Sequence, residues 1–298
     1  MIDIHSHTVY SDGSDSVEQL LKVAQSTRLE YLSITDHNTV EAYNDVAIIN
    51  KSKLFDGYII PGVEITTTYK GEIVEVLGYG FDIQLMSNEL KNKVLSFKDK
   101  QLKEYRLIKD VYTEANIIFD ETKIVFDPQS SSCRKAFWQE IIKYPENVAR
   151  LQNSTSIESS SKFTRQEVYN PDSNFYVDES GLYPELSEVV EMIHNSNGIA
   201  FLAHLYIYAN AESMKAELLD IVNKYKFDGI ECFYSTFSDS QSLGLVDFCE
   251  SNGLLKSGGS DYHGSRKVSI SLGYGKGNLK VQKEVLANWP QRILDTKF

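Results

Sequence analysis

Short apolar segments alternate with amphipathic helical segments in the first 84 residues of the chain, and the alternation returns after residue 183. The first helical segment shows the pattern clearly, because Val17, Leu20, Leu21 and Ala24 fall on one helical face. About seven candidate strands are counted from these segments of strand composition: Ile2–Ile4, Tyr31–Ile34, Tyr58–Ile60 with Val63–Ile65, Ile73–Phe81, Ile199–Leu202, Gly229–Phe233 and Leu254–Lys256. Strands that alternate with helices predict an α/β fold with a mainly parallel sheet or barrel.

The middle of the chain has no such alternation. Leu85–Ala115 is one long helical pattern rich in Lys and Glu, and Cys133–Tyr144 fits a second helix. The serine-rich stretch Gln152–Lys162 is typical of a loop. We therefore expect residues 85–182 to form an inserted, mainly helical subdomain, with residues 1–84 and 183–298 forming the barrel.

The charge of the chain limits what it can bind. Its 298 residues include 30 basic and 42 acidic side chains, which gives a net charge of −12. This balance argues against an extended nucleic-acid duplex as partner, because such binders spread a basic face over phosphates. A small anionic substrate held by bound cations remains compatible with it. A chain of this length also folds without a structural metal, so any metal site is expected to be catalytic.

The three cysteines and the N-terminus indicate the compartment. Cys133, Cys232 and Cys249 form neither a disulfide framework nor a Cys-x-x-Cys pair, which favours a reducing environment. Met1 is followed by no basic and apolar leader, and the apolar stretch Ile199–Ala211 is too short to span a bilayer. We expect a soluble cytoplasmic protein without membrane association; the sequence does not indicate an oligomeric state.

Histidines and carboxylates gather directly after the predicted strands. Five of the six histidines do so: His5, His7, His37, His204 and His263. In an α/β barrel the carboxyl ends of the strands meet at one rim, where active sites are built. His5 and His7 are two positions apart on a strand, so both imidazoles point to the same side and can bind one metal ion. The alternative is a pair of surface histidines near the N-terminus.

Four carboxylates accompany these histidines, and two of them have a simpler alternative. Asp12 precedes a turn glycine, and Asp36 stands beside His37, where it can also cap a helix. Glu64 ends a predicted strand and can bridge two cations, although an exposed Glu fits equally well. Asp261 lies two residues before His263 and is flanked by glycines that let the backbone approach a ligand closely.

The remaining histidines have structural alternatives. His204 follows an apolar run, where a hydrogen-bonded core histidine is common, and His194 lies near a helix end and is interpreted as structural. Taken together, imidazoles with carboxylates and without thiolates suit Mn, Fe or Zn at a catalytic site rather than a structural zinc site.

These segments, in this order, resemble the motifs of the PHP (polymerase and histidinol phosphatase) superfamily. The motifs are His5-x-His7 with Asp12, Thr35-Asp36-His37, Gly62-Val63-Glu64, Ala203-His204 and Ser260-Asp261-x-His263. The resemblance covers residues 2 to about 265, with the middle insert weakly matched. The position of the insert resembles the subgroup that hydrolyses small nucleotides, such as nucleoside 3′,5′-bisphosphates and AMP.

The resemblance implies a distorted (β/α)7 barrel with two or three divalent metal ions, Mn, Fe or Zn. The implied ligands of the first ion are His5, His7, Glu64 and Asp261. Glu64 would bridge to a second ion with His204, and the third would be held by Asp12, His37 and His263. Glu75 stands where the family usually has a histidine, and it is the ninth candidate ligand.

The implied activity is hydrolysis of a phosphomonoester of a small nucleotide by a metal-bridged hydroxide. Arg134 and Arg266 are the candidate catalytic clamps for the phosphate, with Arg165 as a third, and Asp36 is expected to orient a ligand. The insert is expected to act as a lid that selects the leaving group. Phe175 and Tyr176 are candidates to stack on a base, and the alternative is core packing, the commoner role of an aromatic residue. The alternatives are an exonuclease on short RNA or DNA ends, a phosphatase of the histidinol-phosphate type, and a non-catalytic metal-binding module.

Overall fold

The computed structural model describes residues 1–49, 53–208 and 210–295, and the chain divides into two compact units. The first unit contains Met1–Lys93 and Pro184–Phe298, and the second contains Val94–Tyr183. The boundary predicted from the sequence lay nine residues earlier, at residue 85 instead of 94, so the helix Ile83–Lys93 belongs to the first unit. The lid role of the second unit stays a prediction.

The first unit is built around a seven-stranded sheet in which strands adjacent in sequence are adjacent in space. The strands are β1 (Ile2–Asp3), β2 (Tyr31–Ile34), β3 (Tyr58–Tyr69), β4 (Glu72–Tyr79), β5 (Ile199–Leu202), β6 (Gly229–Tyr234) and β7 (Leu255–Gly259). Two contacts join the chain after β1 to β7 and the residues that follow it. The Ile4 N–H donates to the Gly258 carbonyl at 3.4 Å, and Ser6 forms an isolated β-bridge with Tyr262. The sheet thus nearly closes into a barrel, and the predicted α/β barrel is confirmed.

One strand runs against the others. β4 is antiparallel to both β3 and β5, whereas all other neighbouring pairs are parallel. The reversal occurs at Lys70 and Gly71, whose φ angles of 50° and 82° are those of a two-residue hairpin turn. This hairpin extends β3 to Tyr69, so Glu64 lies within a strand and not at its end as predicted.

Eight α-helices among the described residues flank this sheet. They are α1 (Val17–Thr27), α2 (Ala42–Ile48), α3 (Ile83–Lys93), α8 (Leu186–Asn195), α9 (Ala211–Ala216), α10 (Leu218–Tyr225), α11 (Asp239–Asn252) and α12 (Gln291–Leu294). The predicted face of α1 is confirmed, since its four apolar residues are buried. Ser16 caps that helix by accepting from the Gln19 N–H, while the Gln19 side chain accepts from the Ser16 N–H. In the described part of the chain, no helix is both long and apolar enough to cross a membrane.

The second unit contains the helices α4 (Phe97–Glu114), α5 (Cys133–Ile141), α6 (Pro145–Val148) and α7 (Ser160–Phe163). The single helix predicted over residues 85–115 is wrong, because the Ser96 side chain accepts from the Asp99 N–H and starts a new helix. The predicted serine-rich loop also contains a 3-10 turn, Ser154–Ile157, and the start of α7.

Aromatic rings form the core of the second unit. Phe175 is 1% exposed and packs edge-to-face on Tyr112 and Phe163 at centroid distances of 5.9 and 5.4 Å. The expected base-stacking role of Phe175 is therefore wrong, because its ring is used in this core. Tyr176 is half-buried.

The C-terminal segment packs against the end of the barrel where β1 begins. Its apolar residues Leu279, Val281, Leu286, Trp289 and Ile293 form one core cluster with residues of β1, β4 and β5. The Ile2 N–H also donates to the Val281 carbonyl at 3.0 Å. This contribution to the barrel core was not predicted, since the segment has neither a strand pattern nor a helix pattern.

Replacing Leu286 by alanine tests this packing. Leu286 is 2% exposed in the core cluster, so Leu286→Ala should lower the free energy of unfolding by about 2–5 kcal/mol. The matched control is Leu243→Ala, at a leucine that is 60% exposed on α11, with an expected change within about 0.5 kcal/mol. Urea denaturation measures both, and equal small losses would show that the C-terminal segment is not packed on the barrel.

Candidate metal centre

The barrel brings all nine predicted ligands together at one rim. Each predicted ligand lies on a strand of the sheet or in a loop that follows one. Their ligand atoms form four overlapping groups, each within 4.8 Å: His5, His7 and Asp261; His5, Glu64 and His204; His37, Glu64 and Glu75; and His7, Asp12, His37 and His263. A cluster of this size joins residues that are as much as 258 positions apart, from His5 to His263.

The first group surrounds the imidazoles of His5 and His7, which follow β1 and do not lie on a strand as expected. His7 Nε2 lies 3.2 Å from Asp261 Oδ1 and 3.3 Å from Glu64 Oε2. His5 Nε2 lies 3.4 Å from the same Glu64 oxygen and 3.6 Å from Asp261 Oδ1. The four side chains are almost fully buried, so two imidazoles and two carboxylates converge on one point away from bulk water.

The second group lies on the other side of the Glu64 carboxylate. Glu64 Oε1 is 2.9 Å from His204 Nε2, while Oε2 faces the first group. Glu75 Oε2 lies 3.3 Å from His204 Nε2, and Glu75 Oε1 lies 3.3 Å from His37 Nδ1. The two oxygens of Glu64 therefore face two different sets of ligands, which is the geometry of a bridging carboxylate.

The group that contains Asp12, given last above, opens toward solvent. His263 Nε2 lies 3.0 Å from Asp12 Oδ1, and both His37 Nε2 and His7 Nδ1 lie 3.7 Å from that oxygen. The Asp12 side chain is 56% exposed, in contrast to the buried first group. His7 directs Nε2 toward Asp261 and Glu64 and Nδ1 toward Asp12, so it belongs to two groups. The family resemblance did not predict this arrangement.

The backbone is bent where the strands deliver these side chains. Asp261 has a φ of 57°, and His204 has a φ of 20°. Non-glycine residues adopt such angles at a cost and cluster at functional sites. Gly259 has a different role from the one expected, because an added Cβ would lie 2.4 Å from the His5 backbone nitrogen. Its small size lets β7 approach the chain at His5.

Glu231 supports the centre and was missed by the sequence analysis. Its Oε1 accepts from His5 Nδ1 at 2.8 Å, and its Oε2 accepts from the His204 N–H at 2.8 Å. A proton held on Nδ1 leaves the Nε2 lone pair of His5 directed at the centre. The signal was present, since Glu231 is the one charged residue in the predicted strand Gly229–Phe233.

Asp36 belongs to none of the ligand groups and holds the loop that carries Asp12. Its carboxylate accepts from the Thr8 N–H at 2.7 Å, the Thr8 hydroxyl at 2.6 Å and the Ser11 hydroxyl at 2.5 Å. The alternative of a helix cap is wrong, because α2 starts after Glu41 without a side-chain cap. The geometry fits a residue that positions the loop.

The charges of the cluster are strongly coupled. Burial opposes the protonated form of His7, but the carboxylates of Asp261 and Glu64 outweigh it and raise the His7 pKa to about 9. Burial likewise opposes the shift of His204, whose pKa rises to about 10 beside Glu64 and Glu75. The imidazoles in turn hold the pKa of Glu64 well below its usual range, against the effect of burial. The anionic form of Glu64 is thus favoured, and it attracts positive charge.

Several buried ring nitrogens have no hydrogen-bond partner among the described residues. They are His5 Nε2, His7 Nε2, His37 Nδ1 and His204 Nδ1. Buried polar atoms are almost always hydrogen-bonded, so a cluster of exceptions needs an explanation. Imidazole nitrogens beside anionic carboxylates are ligands of divalent metal ions, and the residues present fit that group.

The predicted phosphate clamps are spread over both units, and their role stays a prediction. Arg134 lies in the second unit, where its guanidinium donates to Glu104, to Glu179 at 2.6 Å and to the Tyr169 hydroxyl at 2.5 Å. Arg165 is exposed in the same unit, and Arg266 is exposed on the first unit. The next residue, Lys267, reaches Asp261 instead, with Nζ 2.6 Å from Oδ2. His194 bonds Asp228 at 2.8 Å, outside the ligand groups.

Comparison with known proteins gives relatives along most of the chain. A 5′-3′ exoribonuclease of Haemophilus influenzae is 24% identical over 265 residues, which cover 88% of this chain and 89% of that protein. A phosphoribosyl 1,2-cyclic phosphate 1,2-diphosphodiesterase of Eggerthella lenta is 22% identical over 88% of this chain and 94% of its own length.

A solved structure shows the same fold. An amidohydrolase from Chromobacterium violaceum superposes with a TM-score of 0.65 at 19% identity, over 96% of both chains. The prediction of an enzyme is confirmed, because the exoribonuclease and the diphosphodiesterase among the relatives are both hydrolases. A family model described as the PHP domain matches residues 3–249, ending before Asp261, which the structure nevertheless places within the cluster. The chain therefore belongs to the PHP family.

Proposed function

We propose that the chain hydrolyses the phosphomonoester of a small nucleotide, such as a nucleoside 3′,5′-bisphosphate or an AMP-like compound, with divalent metal ions at the cluster. The observation that carries the proposal is the position of Glu64, whose two oxygens face two buried sets of ligands. Paired cations at such a carboxylate suit in-line displacement at phosphorus.

Each metal position has its own proposed ligands. The ligands of the first ion are His5, His7, Glu64 and Asp261, and those of the second are Glu64, Glu75 and His204. The ligands of the third are Asp12, His37 and His263, with His7 at its edge. When bound, divalent ions act as Lewis acids and bring the pKa of a water molecule near neutrality.

Residues around the ligands prepare the site. Glu231 orients His5, and Asp36 fixes the loop that carries Asp12. Asp261 is held through its second oxygen by the Tyr234 hydroxyl at 2.7 Å. These contacts reduce the freedom of the ligands before an ion arrives, which lowers the cost of binding it.

A small substrate fits the charge of the chain. The net charge of −12 opposes a long polyanion, while a single phosphate needs only local cations.

The cytoplasmic location and the choice among Mn, Fe and Zn remain predictions.

The second candidate function is removal of nucleotides from the ends of short RNA. Its support is the relative from Haemophilus influenzae, a 5′-3′ exoribonuclease that aligns with 88% of this chain. A short RNA presents few phosphates, so the acidic balance opposes it less than it opposes a duplex.

A substrate panel separates the candidates. The protein is stripped of metal, restored separately with Mn²⁺, Fe²⁺ or Zn²⁺, and assayed on nucleoside bisphosphates, AMP, histidinol phosphate and short RNAs. We expect inorganic phosphate to be released from a nucleotide. Stepwise release of mononucleotides from RNA, with intact monoesters, would favour the exonuclease. Inactivity on every substrate with every metal would contradict the proposal.

Replacing Asp261 tests the first metal position. Asp261→Asn keeps the shape of the side chain but removes its charge. Loss of a residue that only hydrogen-bonds to a metal ligand typically costs about 10–100-fold, so kcat should fall by more than this when a ligand itself is changed. The control is Asp247→Asn, at an exposed aspartate on α11, which should leave kcat unchanged. Full activity of Asp261→Asn would mean that the first ion is misplaced.

Replacing Glu231 tests the support of the ligands. Glu231→Gln removes the anionic acceptor of His5 Nδ1, so the affinity for metal should drop by about 10–100-fold while the fold is retained. Equilibrium dialysis followed by elemental analysis measures the affinity, and Glu284→Gln, at an exposed glutamate, is the control. An unchanged affinity would show that Glu231 has no part in metal binding.

A further inference from the structure

One lysine contacts the ligand set directly. Lys267 Nζ lies 2.6 Å from Asp261 Oδ2, and the other oxygen of that carboxylate faces His5 and His7. Among the ion pairs of the described residues, no other lysine or arginine pairs with any of the nine candidate ligands. Lys267 therefore supplies a positive charge at the edge of an otherwise anionic cluster.

The backbone around Lys267 is fixed in place. Gly264–Lys267 forms a 3-10 turn that begins directly after His263. The turn is tied to the loop after β1, because the Ser265 N–H donates to the Ser14 hydroxyl at 2.8 Å and the Ser14 N–H donates to the His263 carbonyl at 3.1 Å. Gly264 has a φ of 63°, and an added Cβ would lie 2.1 Å from Ser14 Oγ. The ammonium thus extends from an anchored segment.

Asp261 does not depend on this lysine for its position. The Tyr234 hydroxyl already donates to Oδ2 at 2.7 Å. A lysine ammonium has three donors, and the contact with Asp261 uses one of them. No other hydrogen bond of Nζ is found within the described residues, and the side chain is 41% exposed. Two donors therefore remain for a ligand that enters from solvent.

We propose that Lys267 binds a non-bridging oxygen of the substrate phosphate, with Asp261 holding the ammonium beside the metal ligands. Charge-assisted hydrogen bonds from lysine to phosphate are short and strong, and lysine serves as a point charge at such sites. Lys267 is a further candidate for the role that the sequence assigned to Arg134 and Arg266. The identity of the ligand rests on the proposed function, whereas the binding of phosphate itself does not.

The test uses the full chain restored with Mn²⁺ and inorganic phosphate as the probe. Lys267→Met keeps most of the length of the side chain and removes its charge. We expect the Kd for phosphate, measured by isothermal titration calorimetry, to rise at least tenfold, with metal content and melting temperature unchanged. Lys280→Met, at an exposed lysine beside Val281, should bind phosphate like the wild type. If turnover is found, KM for the phosphomonoester should rise in parallel with the Kd.

Three results would overturn the inference. A Kd within twofold of the wild-type value would show that Lys267 does not bind phosphate. Loss of metal together with phosphate would make it a positioning residue for Asp261. A wild-type protein that is loaded with metal and binds no phosphate would also refute the inference. Phosphate binding that depends on Lys267, without turnover of any ester, would support the inference and refute the proposed function.

Discussion

The carboxylate of Glu64 is buried beside four imidazoles. The arrangement of the site follows from the need to compensate the negative charge of this carboxylate. Its Oε1 lies 2.9 Å from His204, and its Oε2 lies 3.3 to 3.4 Å from His5, His7 and His37. A buried anion is costly unless positive charge compensates for it. Asp261 and Glu75 add further negative charge to the same volume, so protonated imidazoles or metal ions are needed to balance the cluster. The raised pKa values of His7 and His204 express this requirement.

The barrel topology explains how a chain can build such a cluster. Parallel strands deliver the residues after β1, β2, β5 and β7 to one rim, and the antiparallel strand β4 adds Glu75 from its own length. Glycine at position 259 and positive φ angles at His204 and Asp261 bring the backbones and side chains close enough to meet. The supporting contacts of Glu231, Asp36 and Tyr234 come from strands or loops next to those that carry the ligands. Local strain is stabilised by the hydrogen bonds of the surrounding residues.

The sequence predicted those parts of the molecule that have a local pattern. Strands such as Tyr31–Ile34 and Ile199–Leu202 match the structure residue for residue, because each is a short apolar run with clear ends. Eight of the nine candidate ligands were identified because they stand in short local motifs, whereas Glu75 was identified only by its place in the family resemblance. Glu231 was missed because a lone carboxylate within a strand has no motif, and its role appears only when β6 lies between β5 and β7. Likewise, only the three-dimensional course of the turn after His263 distinguishes Lys267 from Arg266. The start of α4 at Ser96 was missed because the charged helical pattern continues across it.

The central claim is that the anionic cluster around Glu64 exists to hold divalent cations. Anomalous X-ray diffraction from crystals of the Mn²⁺-loaded protein tests it most directly, because the anomalous signal locates each ion independently of the protein atoms. The account predicts at least two peaks on opposite sides of the Glu64 carboxylate, each about 2.0–2.3 Å from imidazole or carboxylate ligand atoms of the cluster. Peaks confined to surface carboxylates, with none beside Glu64, would contradict it.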